Sequence, residues 1–157
     1  MQIKDAGEAL FIACEMEKRA IRLYERALAV FPDGPCQAAI RAILCDEKHH
    51  LAQFQKMGAA MPDFERAQLL SAQASRVLFS GGLMEAQRKG AFSSVSQLYR
   101  FAAQEEREAV DRYGEFAAAL SGGAAAAFAA IALEEKQHLA KLNELLGAGT
   151  SNGKGNR

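Results

Sequence analysis

In this chain of 157 residues one pattern occurs twice, as Glu17-Lys-Arg-Ala20-Ile-Arg-Leu-Tyr24 and as Glu106-Arg-Glu-Ala109-Val-Asp-Arg-Tyr113. Each copy is followed by a second repeated pattern, Asp46-Glu47-Lys-His-His50 in the first half and Glu134-Glu135-Lys-Gln-His138 in the second. Because both patterns recur in the same order, the chain is predicted to consist of two copies of one structural unit.

Apolar residues flank these segments at three- and four-residue spacing, which predicts amphipathic helices. Pro32-Asp33-Gly34-Pro35 separates the first two helices, so we expect them to pack as an antiparallel hairpin. We therefore predict an all-α domain over residues 1–146. Its first two helices are predicted at residues 7–31 and 35–57, and a long crossover of about 58–94, which includes a short helix at 62–77, follows them. A third helix begins after Ser94 or Ser96 and ends at 120, and a fourth ends near 146. Residues 147–157 are predicted to form a disordered tail.

The spacing Glu-x-x-His places a carboxylate and an imidazole on one face of a helix, because residues three apart are neighbours on a helix surface. Glu47 and His50 have this spacing, and Glu17 lies at a similar height in the antiparallel neighbouring helix. The second half of the chain repeats the arrangement. Four carboxylates and two imidazoles should therefore meet in the middle of the bundle: Glu17, Glu47, His50, Glu106, Glu135 and His138.

One glutamate from each of two helices and one Glu-x-x-His from each of two others is typical of ferritin-like di-iron and di-manganese carboxylate proteins. The sequence therefore predicts a ferritin-like four-helix bundle. Four carboxylates in an apolar core require positive charge beside them, and two divalent ions would supply it. Carboxylate and imidazole ligands favour iron or manganese over copper. We expect two metal ions, iron in the first place and manganese as the alternative.

The four quoted segments resemble the rubrerythrin branch of the ferritin-like superfamily, over residues 8–146 apart from the crossover. The resemblance implies that two tyrosines, Tyr24 and Tyr113, support catalysis by orienting the metal-binding carboxylates through hydrogen bonds. It also implies three kinds of metal ligand: the terminal carboxylates Glu17 and Glu106, the bridging carboxylates Glu47 and Glu135, and the nitrogen ligands His50 and His138.

Two departures from that family change what is expected of this chain. Rubrerythrins carry a rubredoxin-like domain with paired Cys-x-x-Cys motifs, whereas this sequence ends in a Gly/Asn/Lys tail, so an external donor such as a rubredoxin-type carrier would supply electrons. Rubrerythrins also have an extra glutamate where this chain has Ala109, so the resemblance does not extend to the ligand switching of that family's peroxidase cycle, although it does extend to the dimetal site. The resemblance implies a di-iron oxidoreductase of the peroxidase or ferroxidase type, acting on peroxide or dioxygen in oxidative stress.

Composition excludes several other classes of protein. Nineteen basic and nineteen acidic residues leave no net charge, which argues against a nucleic-acid partner. The longest apolar run covers only residues 124–133, and the start has no signal-peptide pattern, so we expect a cytoplasmic protein without a membrane partner. The alanine-rich run suggests a homodimer contact or close helix packing.

Three alternatives stay open: a ferroxidase that handles iron, a dimanganese catalase-like protein, and a non-catalytic helical module clipped by metal.

Overall fold

The computed structural model describes residues 3–34, 36–61 and 82–151. Within these ranges the chain forms five α-helices and no strand, which confirms the all-α prediction for this part of the protein. No helix in the same ranges is both long and apolar enough to cross a membrane. The helices are α1 (Ala6–Val30), α2 (Cys36–Ala59), α3 (Gly82–Arg88), α4 (Val95–Ala119) and α5 (Gly122–Ser151).

Capping residues explain where two of the long helices begin. Asp5 precedes α1 and its side chain accepts a hydrogen bond from the backbone N–H of Glu8. Of the two serines that the sequence offered for α4, the structure selects Ser94, whose hydroxyl accepts from the Gln97 N–H at 3.1 Å. Each cap satisfies a backbone N–H that has no partner within the first helical turn.

Helix α5 ends later than the sequence predicted, since it continues through Gly147 to Ser151 instead of stopping near residue 146. The prediction of a tail beginning at residue 147 is therefore wrong for residues 147–151, and residues 152–157 lie outside the described ranges. Leu145 and Leu146 pack against the core and hold the preceding turn. Extending an existing helix adds one hydrogen bond per residue, which offsets the cost of about 1 kcal/mol for a helical glycine.

The short helix α3 lies in the stretch predicted as an irregular crossover and was not anticipated. It begins at Gly82, whose φ of +45° lies in the left-handed region that favours glycine. The helix predicted at residues 62–77 falls outside the described residues.

The four long helices share two apolar clusters, one toward each end. The first cluster joins the beginnings of α1 and α5 to the ends of α2 and α4, and the second joins the opposite ends of the same helices. Consecutive long helices are therefore antiparallel, as the hairpin prediction requires. Representative members of the first cluster are Leu10, Phe54, Phe116 and Phe128, and those of the second are Leu23, Ile40, Leu98 and Leu142.

We predict that Ser94→Ala lowers the free energy of unfolding by about 1 kcal/mol, because it removes the acceptor that caps α4. Ser96→Ala is the matched control, since Ser96 is exposed within the first turn and alanine is the better helix former. Urea denaturation followed by circular dichroism measures both. Equal losses in the two variants would contradict the assignment of the cap.

Candidate metal centre

The six side chains predicted as metal ligands lie together in a layer between the two apolar clusters. Every one of them is buried, with at most 6% of the residue exposed. Helices α1 and α4 contribute one carboxylate each, and α2 and α5 contribute one carboxylate and one imidazole each. The structure thus brings together all of the predicted ligands: Glu17, Glu47, His50, Glu106, Glu135 and His138.

These side chains form two overlapping groups of four, and within each group the ligand atoms lie within 4.8 Å of one another. Glu47 and Glu135 belong to both groups. The ring centroids of the two histidines are 6.0 Å apart. Two adjacent positions, each with three carboxylates and one imidazole, could therefore hold a cation, with two of the carboxylates common to both. The first group adds Glu17 and His50 to the shared pair, and the second adds Glu106 and His138.

Four buried atoms of this layer make no hydrogen bond of good geometry: Glu17 Oε2, Glu47 Oε1, His50 Nδ1 and Glu135 Oε1. Three of them still face an opposite charge, since His50 Nδ1 lies 3.2 Å from Glu135 Oε1 and Glu47 Oε1 lies 3.1 Å from His138 Nδ1. A buried polar atom without a partner costs about 1–3 kcal/mol, and more when it is charged. All four atoms belong to residues of the first group of four. Oxygen and nitrogen donors left unsatisfied in this way fit a hard or borderline cation, which would accept their lone pairs.

The outer nitrogen of each imidazole faces a carboxylate on the other histidine-bearing helix. His50 Nε2 lies 2.9 Å from Glu134 Oε2, and His138 Nε2 lies 3.1 Å from Asp46 Oδ2. A carboxylate accepts the Nε2–H bond, so it keeps Nδ1 of each ring directed toward the buried carboxylates. Sequence reasoning did not assign these roles, although an acidic residue directly precedes the Glu-x-x-His motif in both copies.

The two predicted supporting tyrosines bond across the hairpins. The Tyr113 hydroxyl donates to Glu17 Oε1 at 2.6 Å, and the Tyr24 hydroxyl donates to Glu106 Oε1. Burial, helped by the neighbouring carboxylates, raises the pKa of both phenols well above the ordinary value. Each tyrosine therefore keeps its proton and restricts the orientation of a carboxylate on the opposite hairpin.

The pKa values of the layer reflect burial together with mutual interaction. Burial raises the pKa of Glu17 and of Glu106 to about 7 and raises that of Glu47 well above 4.5. Glu135 differs: burial favours its neutral form, but the two imidazoles beside it, with His138 Nδ1 2.9 Å from Oε2 and His50 Nδ1 3.2 Å from Oε1, lower its pKa to about 2.

For the two imidazoles, burial lowers the pKa and the neighbouring carboxylates raise it. Burial lowers the pKa of His50, but the surrounding carboxylates, Glu135 foremost, raise it by more, to about 9. The pKa of His138 is raised further by the carboxylates of Glu106, Glu135 and Glu47, whose oxygens lie 2.9–3.7 Å from its Nδ1, again against burial. Without a cation, protons on imidazoles and carboxyls therefore neutralise this layer.

A cavity of about 20 Å³ lies against the layer on the side of α1 and α4. This volume is sufficient for a small molecule such as water. Its inner wall consists of glutamates of the layer and both tyrosines, and its outer wall includes Ala20, Ala109, Arg19 and Glu105. The third histidine, His49, is exposed on α2 and lies outside both groups of four.

We predict that the metal-free protein loses stability as the pH rises from about 4.5 to about 9. Glu17 and Glu106 titrate near pH 7 when folded but near 4.5 when unfolded, so the folded state binds more protons and its advantage declines across that interval. His50 adds a further loss of stability between pH 6.5 and about 9, because its pKa is 6.5 when unfolded and about 9 when folded. Glu135 changes stability in the opposite direction, because its folded pKa of about 2 lies below 4.5, but this contribution is confined to pH values below 4.5. Urea denaturation of chelator-treated protein across this range measures the trend.

The double variant Glu17→Gln with Glu106→Gln is the control for this pH dependence. Its amides do not titrate, so the slope between pH 5 and pH 7 should become shallower, by up to about 1.4 kcal/mol per pH unit for each proton no longer released. A free energy of unfolding that stays flat or rises over this interval in the unmodified protein would contradict the assigned protonation states.

Comparisons of this chain with protein-family models, with curated proteins and with solved structures find no match. Its function must therefore be inferred from the chemistry of the six buried side chains and of the groups that surround them.

Proposed function

We propose that this chain is a ferritin-like four-helix bundle that binds two iron ions and acts as a rubrerythrin-like oxidoreductase on peroxide or dioxygen. One observation carries the proposal: two groups of four buried ligand atoms share Glu47 and Glu135. Two shared carboxylates between two positions are what a pair of bridged metal ions needs. The four unsatisfied buried atoms support the same conclusion.

Charge favours two divalent ions over one. The layer holds four carboxyl groups, and two divalent cations would balance all four when these are ionised. With the cations present, the protons on Glu17 and Glu106 are no longer needed for neutrality, so metal binding and proton release are coupled. Hard oxygen donors combined with one imidazole at each position suit ferrous iron and also divalent manganese.

Two ferrous ions held by the six ligands would supply the two electrons that, with two protons, reduce hydrogen peroxide to two waters. The chain's own residues prepare the site for this chemistry. Glu134 and Asp46 hold the imidazoles with Nδ1 inward. Tyr24 and Tyr113 hold the terminal carboxylates by one oxygen and leave the other oxygen for a metal. The cavity beside the glutamates offers space for the oxidant.

We predict that the protein binds two ferrous ions per chain under anaerobic conditions. Glu47→Ala should abolish both sites because Glu47 belongs to both groups, whereas Glu17→Ala should leave one site because Glu17 belongs to the first group only. Equilibrium dialysis with metal analysis measures the stoichiometry.

Glu25→Ala is the matched control, since Glu25 is an exposed glutamate whose only described partner in an ion pair is Lys48 on the surface. This variant should still bind two ions. A wild-type stoichiometry of one or none, or an equal loss in Glu17→Ala and Glu47→Ala, would contradict the shared-carboxylate arrangement.

We predict that hydrogen peroxide oxidises the ferrous-loaded protein faster than it oxidises ferrous iron in buffer, with one peroxide consumed for two ferrous ions. Stopped-flow absorbance of the ferric product measures rate and stoichiometry, with Glu47→Ala as the inactive comparison. Faster oxidation by dioxygen than by peroxide would favour a ferroxidase. Peroxide disproportionation by manganese-loaded protein, with no acceleration for iron, would favour a dimanganese catalase.

A further inference from the structure

The two sides of the buried layer differ in how they are closed. On the side of α2 and α5, the imidazoles lie between the buried carboxylates and their outer partners Asp46 and Glu134. On the side of α1 and α4, the corresponding positions hold the small side chains of Ala20 and Ala109, and the cavity lies there. Within the described residues, the cavity therefore offers a small molecule a way to the glutamates between α1 and α4.

Arg19 forms ion pairs across the outer wall of this cavity. Arg19 Nη2 on α1 lies 2.7 Å from Glu105 Oε2 on α4, and 3.8 Å from Glu108 Oε2 one turn further along. The side chains of Arg19 and Glu105 are 15% and 22% exposed, whereas those of the glutamates in the layer are at most 4% exposed. The pair therefore lies between solvent and the buried carboxylates.

Helix α3 holds the arginine in this position from outside. A Cβ atom at Gly82 would lie 3.5 Å from both Cγ and Cδ of Arg19, so the backbone of Gly82 packs on the aliphatic part of the arginine. Two acidic partners on α4 thus hold the guanidinium, and the backbone of Gly82 packs against the aliphatic part of the same side chain. A side chain fixed from several directions closes an opening more effectively than a freely rotating one.

We propose that the Arg19–Glu105 pair is a size-selective gate to the buried carboxylate layer, which admits oxidants as small as dioxygen or hydrogen peroxide and excludes alkyl hydroperoxides. The cavity volume of about 20 Å³ sets the limit, since a tert-butyl group does not fit beside the tyrosines without displacing the pair. The selectivity among oxidants rests on the proposed function. Access to the cavity depends only on this chain's side chains and can be tested without metal.

The metal-free test uses a thiol placed in the cavity wall by Leu23→Cys, because Leu23 lines the cavity and is only 4% exposed. N-ethylmaleimide is the bulky neutral probe and methyl methanethiosulfonate the small one, with the modified residue identified by peptide mass spectrometry. In this background Arg19→Ala should raise the maleimide rate at position 23 by about tenfold or more, and the rate of the small reagent by less.

Buried native thiols provide an internal control in the same molecule. Cys14 and Cys36 are buried away from the cavity lining, so their reaction with maleimide reports general opening of the fold. Lys18→Ala is the matched variant, since it removes an ion pair with Glu15 on the same helix without touching the cavity. The maleimide rates of Cys14 and Cys36 should not change in Arg19→Ala, and the maleimide rate at position 23 should not change in Lys18→Ala. Glu105→Ala opens the gate from the other helix and replaces Arg19→Ala if that variant does not fold.

In the ferrous-loaded protein, the rate with tert-butyl hydroperoxide relative to hydrogen peroxide should rise by about tenfold in Arg19→Ala and stay unchanged in Lys18→Ala. An unchanged maleimide rate at position 23, or a rise shared by Cys14 and Cys36, overturns the gate. If Arg19→Ala binds iron but its rate with tert-butyl hydroperoxide relative to hydrogen peroxide is unchanged, the gate does not select among oxidants. Failure to bind iron overturns the proposed function instead, and the thiol test still decides whether the gate exists.

Discussion

Four carboxylates share one layer of an apolar core, and the surrounding structure responds to that concentration of charge. Burial would drive all of them to their neutral forms, yet the two imidazoles hold Glu135 ionised while Glu17 and Glu106 titrate near pH 7. The layer therefore exchanges protons for positive charge readily. Burying so many ionisable groups in an apolar core lowers stability, and a bound cation would balance the charge and satisfy the atoms that lack a hydrogen bond.

The supporting hydrogen bonds have the same two-fold pattern as the ligands. Each apolar cluster contributes one tyrosine whose hydroxyl reaches a carboxylate of the opposite hairpin, Tyr24 to Glu106 and Tyr113 to Glu17. Each histidine is likewise held by an acidic residue from the other hairpin. The hairpins are thus tied together through the layer itself, so its geometry depends on both halves of the chain being in register.

The symmetry ends at the outer surface of the cavity. Arg19 and Glu105 are not equivalent positions in the two copies of the repeat, and their ion pair has no counterpart there. Helix α3, which belongs to neither hairpin, supports this pair through Gly82. Duplication therefore accounts for the candidate metal centre, while the residues that control access to it are specific to one side of the molecule.

The sequence by itself determined the helical class, most helix ends and the six side chains of the layer, because these follow from spacing within a helix and from repetition along the chain. It misplaced the end of α5, which further hydrogen bonds within the helix extend, and it missed α3, which packs on the core through Ala86. Only the tertiary structure decided that the tyrosines, Asp46 and Glu134 act on the opposite hairpin and that Arg19 meets Glu105. These contacts join residues far apart in the chain, and their partners depend on how the hairpins lie side by side, which helical periodicity does not encode.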